Sequence, residues 1–403
     1  MMPPMTAKEA DSTPLARKLA ARIAAGGPIP FYDYMEACLY DPEHGYYKKR
    51  DPLGRSGDFI TAPEISQVFG ELIGLWVGET WRLMGQPAAI ALIELGPGRG
   101  TLMADALRAL RVLPSFLKSV TVHLIETSGP LRGAQEAMLA GAGCPIFCHG
   151  RLGDVPPGPA IVIANEFIDC LPVRQYVFDG PAQLWRERMV GFEEGGFGFG
   201  LDSKGVEVPP HPSPLPEGRG GSCGPLIEGS ASVPSPLGEK DRMRGDFPAA
   251  EDGAILEVRP GTAYTLREMA ARAATNPFAA LIIDYGYTKP SFGDTVQAVK
   301  QHRFAGIFEA PGEADLTAHV DFADLAQTAK ALNLDVYGPM PMGEWLLRLG
   351  LEARCLQLLS RATAEQAAEI RSRVSRLIDP AQMGALFKAA VLTGGGLGPL
   401  PPF

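Results

Sequence analysis

Short apolar runs alternate with helix-patterned stretches through the middle of the chain. Ile90–Leu95, Val120–Glu126, residues 144–149, Ala160–Asn165 and Ala279–Asp284 are such runs. Helical spacing separates them, as in Leu102–Leu110 and the stretch through Met138. Runs that are apolar throughout, joined by helices, predict βαβ units and a parallel sheet buried on both faces. Before this region, Leu15, Leu19 and Ile23 share one helical face behind Thr13 and Pro14, a good N-cap and first helical residue. A helix is expected from Ile29 to Leu39. Another should follow a capping box of Thr61 and Glu64, with Ile65, Phe69, Leu72, Ile73, Trp76 and Val77 at helical spacing and an end near Gly85. Val173–Phe178 and Leu184–Phe192 predict a β excursion over 173–200. Helices are expected around 322–332, 343–359 and 362–378, and Phe387–Leu392 as a late strand closing the sheet. The expected class is α/β, Rossmann-like, with a mostly parallel sheet and helices on both faces. The expected division is an N-terminal helical or cap segment (1–88), a core (89–300) and a C-terminal part of that core (301–403).

Composition narrows this picture in a few places. The chain has 403 residues, 47 of them glycine and 37 proline, more than average usage. At 46% hydrophobic and 21% charged residues, wholesale disorder and collagen are excluded. Part of the excess sits in 209–245, a Pro/Gly/Ser-rich insert with no apolar period and two similar pieces, Pro212–Gly218 and Val233–Glu239. It reads as a flexible spacer without chemistry. A net charge of -9 argues against a nucleic-acid binder that relies on overall basicity. No apolar run approaches the roughly 18 residues needed to span a bilayer. The six cysteines form no CxxC and no zinc spacing with histidine, so reduced thiols and no metal are expected. The start carries arginines on an amphipathic helix, but Glu9 and Asp11 speak against a transit peptide.

The strongest motif is Glu94-Leu95-Gly96-Pro97-Gly98-Arg99-Gly100, between a predicted strand and a predicted helix. A dinucleotide loop would carry its third glycine at position 101, which is Thr101. The observed G-x-G-x-G follows an acid, Glu94, that would oppose a pyrophosphate and suit an ammonium or sulfonium. Glu126, ending the next strand, can accept both hydroxyls of a ribose. A tight turn without ligand and a dinucleotide site are the competing readings. The pair of features resembles the class I S-adenosylmethionine-dependent methyltransferases, which implies that Glu94 and the glycine loop face the methionine part and Glu126 the ribose.

The fourth strand ends in Asn165-Glu166-Phe167-Ile168-Asp169, the point that lies beside the transferred methyl in that fold. Its two carboxylates, Glu166 and Asp169, form a cradle for a guanidinium; a surface acid and a turn cap are the plainer alternatives. In Gly312–Phe322, His319 is the best general-base candidate, and Asp321 is either an acceptor contact or a helix N-cap. Tyr285 and Tyr287 end another strand on the ligand face, and Gly57–Glu64 can reach over the cofactor from the N-terminal side.

Together with Asp41–Tyr47, Gly57–Glu64, Ile283–Tyr287 and Asp315–Phe322, these blocks resemble the MidA-like methyltransferases, the family of a mitochondrial complex I assembly factor. The resemblance runs from about residue 15 to 390, omitting 209–245. It implies S-adenosylmethionine as cofactor, bound by Glu94, Gly96, Pro97, Gly98, Gly100, Glu126 and Asn165. It also implies a protein substrate, a complex I subunit symmetrically dimethylated on arginine. Asn165, Glu166 and His319 are the catalytic candidates, and Glu166, Asp169, Tyr285, Tyr287 and Asp321 the substrate contacts. A non-catalytic assembly chaperone that binds the cofactor and a small-molecule methyltransferase are the rival functions. The expected compartment is the cytoplasm of a bacterium, or the mitochondrial matrix in a eukaryote.

Overall fold

The computed structural model describes residues 13–49, 61–193, 196–207 and 249–403. The 209–245 insert and residues 57–60 lie outside them.

Seven strands make the main path of the central sheet: β1 (Ile90–Leu95), β2 (Val120–Ile125), β3 (Ile146–His149), β4 (Ala160–Asn165), β5 (Phe278–Tyr287), β6 (Asp335–Pro341) and β7 (Phe387–Gly394). Their spatial order is β6-β7-β5-β4-β1-β2-β3. The run from β5 to β3 is parallel, and β7 lies antiparallel between β5 and β6. The expected late strand is present, but it lies inside the sheet; Asp335–Pro341, a strand the sequence pattern did not mark, forms the edge on that side.

The reason the strands read as continuous apolar runs is visible in the packing. Leu92, Val122, Ile161, Ile163, Leu281 and Val391 point to one face. Their neighbours Ile93, Ala160, Val162, Ala280, Ile282 and Leu392 point to the other. Each strand alternates, but both faces are covered, so both sets must be apolar. The first face is covered by helices including Gln67–Leu83, Thr101–Ala109, Met342–Arg348 and Ala364–Ile378. The second takes Pro260–Ala273 and Phe322–Ala331. Gln67–Leu83 and Thr101–Ala109 cross closely because Gly74 has no side chain: a Cβ there would lie 2.5 Å from the Ala106 carbonyl oxygen.

A third apolar cluster joins Leu15, Leu19, Ile23, Phe31, Tyr34 and Leu39 from the N-terminal helices to Val173, Val190, Ala298 and Leu316. The β excursion is present as Arg174–Asp179, Leu184–Glu193 and Gly196–Leu201.

Several elements differ from expectation. Ile29–Pro30 is a two-residue strand pairing with Met189 and Val190, and the helix runs Phe31–Tyr40. The capping box at Thr61 does not form. Thr61 makes no side-chain cap bond and the helix stops after Ile65. Ser66, in extended conformation, caps the next helix by accepting from the Val68 amide. The helix expected over 343–359 breaks at Gly350, whose φ is 93°. Two short strands not expected from the sequence pattern, Asp315–Thr317 and Val320–Asp321, precede the helix Phe322–Ala331.

Candidate active site

The strand ends of β1, β2, β4 and β5 open into one cavity of about 770 Å³. At the end of β1, Gly96, Gly98 and Gly100 all have positive φ, 62°, 55° and 84°. Alternate glycines are needed because the chain enters the left-handed region three times within five residues. Gly96 N–H donates to the Ile125 carbonyl and Gln135 Nε2 donates to the Gly98 carbonyl at 2.7 Å, which pins the loop to β2 and the following helix. Gly96, Pro97 and Gly98 line the cavity. Gly100 stands behind them as the N-cap of Thr101–Ala109.

Glu94 is buried, and its Oε2 has no hydrogen-bond partner. Burial pushes its pKa up to about 8. Asn165, at the end of the adjacent β4, is buried too, with Oδ1 unpartnered. Two orphaned acceptors at one cavity wall call for a donor-rich cationic group, since leaving them unmet is costly. Glu126 is held differently. Its Oε1 accepts from the Thr127 and Ser128 amides, both at 2.7 Å, so the carboxylate is fixed in orientation at the cavity wall. Burial raises its pKa, while those amides, Lys48 and Arg132 work against the rise. These residues fit S-adenosylmethionine: Glu94 and Asn165 would meet its cationic methionine end and Glu126 its ribose hydroxyls.

Glu166 has φ 49°, an uncommon conformation for a non-glycine residue and costly unless the surroundings enforce it. Its Oε1 accepts from the Ala62 amide at 3.0 Å and from Asn165 Nδ2 at 3.1 Å. Burial, with Asp169 adding repulsion, raises its pKa to about 7. Asp169 is buried with Oδ1 unpartnered; burial raises its pKa against the pull of Tyr285 and Arg259. The loop bearing both acids is anchored by Asp284, which accepts from the Ile168 and Asp169 amides. Arg259 ties that loop to the His319 loop, donating to the carbonyls of Leu171, Ala318 and His319. His319 is half-buried, with the Tyr285 ring edge-on at 5.5 Å. Burial, Arg259 and Lys388 lower its pKa, so it is a neutral imidazole at pH 7.

Among the expected acceptor contacts, Glu166, Asp169, Tyr285 and His319 line the cavity. Tyr287 and Asp321 do not. They face a smaller pocket with Glu257, Arg259 and Thr262, and Asp321 is the N-cap reading, accepting from the Ala323 and Asp324 amides.

The structure gives further residues a place at the cavity. Glu64 lines the cavity and accepts from Thr101 Oγ1 at 2.6 Å instead of capping its own helix. Asp315 accepts from the Tyr47 hydroxyl at 2.9 Å, and both line the cavity. The sequence marked Asp315 and Tyr47 only as members of the blocks Asp315–Phe322 and Asp41–Tyr47 that carry the family resemblance. The cavity thus carries Glu64, Glu94, Glu126, Glu166, Asp169 and Asp315 against Arg99 and Arg376.

The family model of S-adenosyl-L-methionine-dependent methyltransferases matches residues 72–340. The chain belongs to this methyltransferase family. It is 37% identical to the mitochondrial protein arginine methyltransferase NDUFAF7 homolog of Drosophila melanogaster, over 98% of this chain and 90% of that protein. It is 33% identical to the human mitochondrial protein arginine methyltransferase NDUFAF7, over 93% of this chain and 82% of that protein. A solved structure from Burkholderia thailandensis bound to S-adenosyl-homocysteine superposes with a TM-score of 0.75 at 26% identity, covering 98% of this chain and 96% of the other. The methyltransferase is thus a MidA-like, Rossmann-like class I enzyme with S-adenosylmethionine as cofactor, as the glycine loop and the two strand-end acids implied. No helix among the described residues is long and apolar enough to cross a membrane.

Proposed function

We propose that this methyltransferase modifies an arginine of a respiratory complex I subunit, to the symmetric dimethyl product, during assembly of that complex. The observation that carries the arginine reading is the acid-lined cavity, whose wall holds Glu166, Asp169 and Asp315 in addition to Glu94 and Glu126. The names of the relatives, protein arginine methyltransferases, support it. The working compartment would be the bacterial cytoplasm or, in a eukaryote, the mitochondrial matrix.

Bound S-adenosylmethionine supplies an electrophilic methyl group. The protein's task is to hold a guanidinium nitrogen in line with it and to accept the proton that nitrogen sheds. Glu166, Asp169 and Asp315 would grip the guanidinium, which needs planar acceptor pairs. Glu166 ionises when the cation arrives, because a positive neighbour favours the carboxylate. His319, neutral and half-buried, would take the proton. Arg259 and Asp284 keep the two acceptor loops in register.

The test is incubation of the purified chain with methyl-labelled donor and complex I subunits from cells lacking it. Mass spectrometry should find dimethylated arginine on one subunit. Label in metabolites alone would establish a small-molecule enzyme. Tight cofactor binding without transfer would establish a chaperone.

A further inference from the structure

Three short strands, Gln297–Lys300, Arg303–Ala305 and Asp315–Thr317, form a small sheet beside the cavity. Pairing fixes which residues share its faces. Val299 lies opposite both Phe304 and Asp315, and Gln297 lies opposite Thr317. All five line the cavity. The alternate residues, Ala298, Ala305 and Leu316, pack into the N-terminal apolar cluster. One face therefore belongs to the core and the other to the cavity.

Along the cavity face the character changes from floor to rim. Asp315 and Thr317 are 6% and 5% exposed, whereas Phe304 is 78% exposed, the most exposed large hydrophobic among the described residues. The hairpin carrying Phe304 turns through Gln301 and His302, with φ 50° and 60°. A two-residue turn with both φ positive gives a short hairpin and leaves Phe304 at the mouth. Leu386, 44% exposed, also lines the cavity, on the chain leading into β7. Single exposed apolar residues are ordinary. This one continues a face that begins at a buried acid inside the cavity.

We propose that this face receives the acceptor, and that it selects arginines flanked by a large apolar residue. The guanidinium would reach Asp315 at the buried end, the aliphatic stem would lie along Val299, and the flanking apolar side chain of the acceptor protein would pack on Phe304. The acidic floor complements the cation and the apolar rim complements its neighbour. The inference rests on the protein arginine reading above and names the recognition feature that reading lacks.

The test uses the proteome of cells lacking this chain as acceptor pool, with labelled S-adenosylmethionine and purified wild type, Phe304→Asp and Phe304→Leu. Methylarginine sites are mapped by mass spectrometry, and rates are then measured on the site-bearing protein. Mapped sites should carry a large apolar residue within two positions. Phe304→Asp should raise the acceptor KM about tenfold, the scale of one buried aromatic, with cofactor Kd and Tm as in wild type. Phe304→Leu should stay within about threefold of wild type, since it keeps much of the same apolar area. Polar-flanked sites, an unchanged KM in Phe304→Asp, or a change in cofactor Kd would each overturn the proposal while leaving arginine transfer intact. Absence of any labelled arginine with wild type would overturn the function itself, and this inference with it.

Discussion

Glu94 is the residue whose perturbation separates stability from function most cleanly. In the ligand-free protein it is buried with one carboxylate oxygen unpartnered, and its pKa stands at about 8 against an ordinary 4.5. Between those two values the folded state binds more protons than the unfolded chain. Stability therefore falls as pH rises through that window. Integrated from pH 5 to pH 8, this one group removes ~3 kcal/mol. Glu94→Gln keeps the shape and removes the titration. Urea unfolding of ligand-free wild type and variant at both pH values should show the wild type losing about that much more than the variant. Cofactor binding should move the other way. The cationic end of the ligand needs the carboxylate, and a charge-assisted hydrogen bond is worth about 1.5–3 kcal/mol. Calorimetric titration at pH 8 should show the variant binding S-adenosylmethionine at least tenfold more weakly. The gap should narrow toward pH 6, where the wild type must release a proton to bind. Parallel pH–stability curves together with equal Kd values would refute the assignment of Glu94.

Further expectations follow from the same geometry. Gly98→Val forces a β-branched residue to φ 55° and should abolish detectable calorimetric binding of S-adenosylmethionine. At saturating cofactor, kcat/KM for the acceptor should rise with pH through an apparent pKa near 7, the value of Glu166, because its carboxylate must be free to hold a cation. A pH–rate profile of Glu166→Gln should lose that limb and at least tenfold of the rate. Gly74→Ala gains less than about 1 kcal/mol of helix propensity but drives a Cβ to 2.5 Å from the Ala106 carbonyl. Urea unfolding should show a net loss of about 1–3 kcal/mol with cofactor Kd unchanged.

The central strands were legible because they are buried on both faces and their helices carry one apolar stripe; the edge strand Asp335–Pro341, with no fully buried residue, was not. The cofactor end was legible for a related reason. Three glycines in alternate positions and an acid two residues earlier leave few other uses. The acceptor side was harder to read. Glu64 matched a capping box by spacing, but the chain extends at Ser66 and frees its carboxylate for Thr101. Asp321 and Asp315 sit in one short polar block, and nothing in that block says which caps a helix and which faces the cavity. The small sheet that decides it pairs Asp315 with Val299, a partner its local pattern does not mark. Asp284 shows the same limit. Its buried carboxylate anchors the Ile168–Asp169 turn through two amides, a role visible only when two distant strand ends are side by side.

The central claim is transfer of methyl groups to protein arginine. The most direct measurement is amino-acid analysis of acid-hydrolysed protein after incubation of the purified chain, labelled S-adenosylmethionine and extract from cells lacking it. Labelled symmetric dimethylarginine, formed at least tenfold more slowly when Glu166→Gln replaces the wild type, is the predicted result. Label confined to small molecules, or no label in arginine while calorimetry shows the cofactor bound, would contradict it.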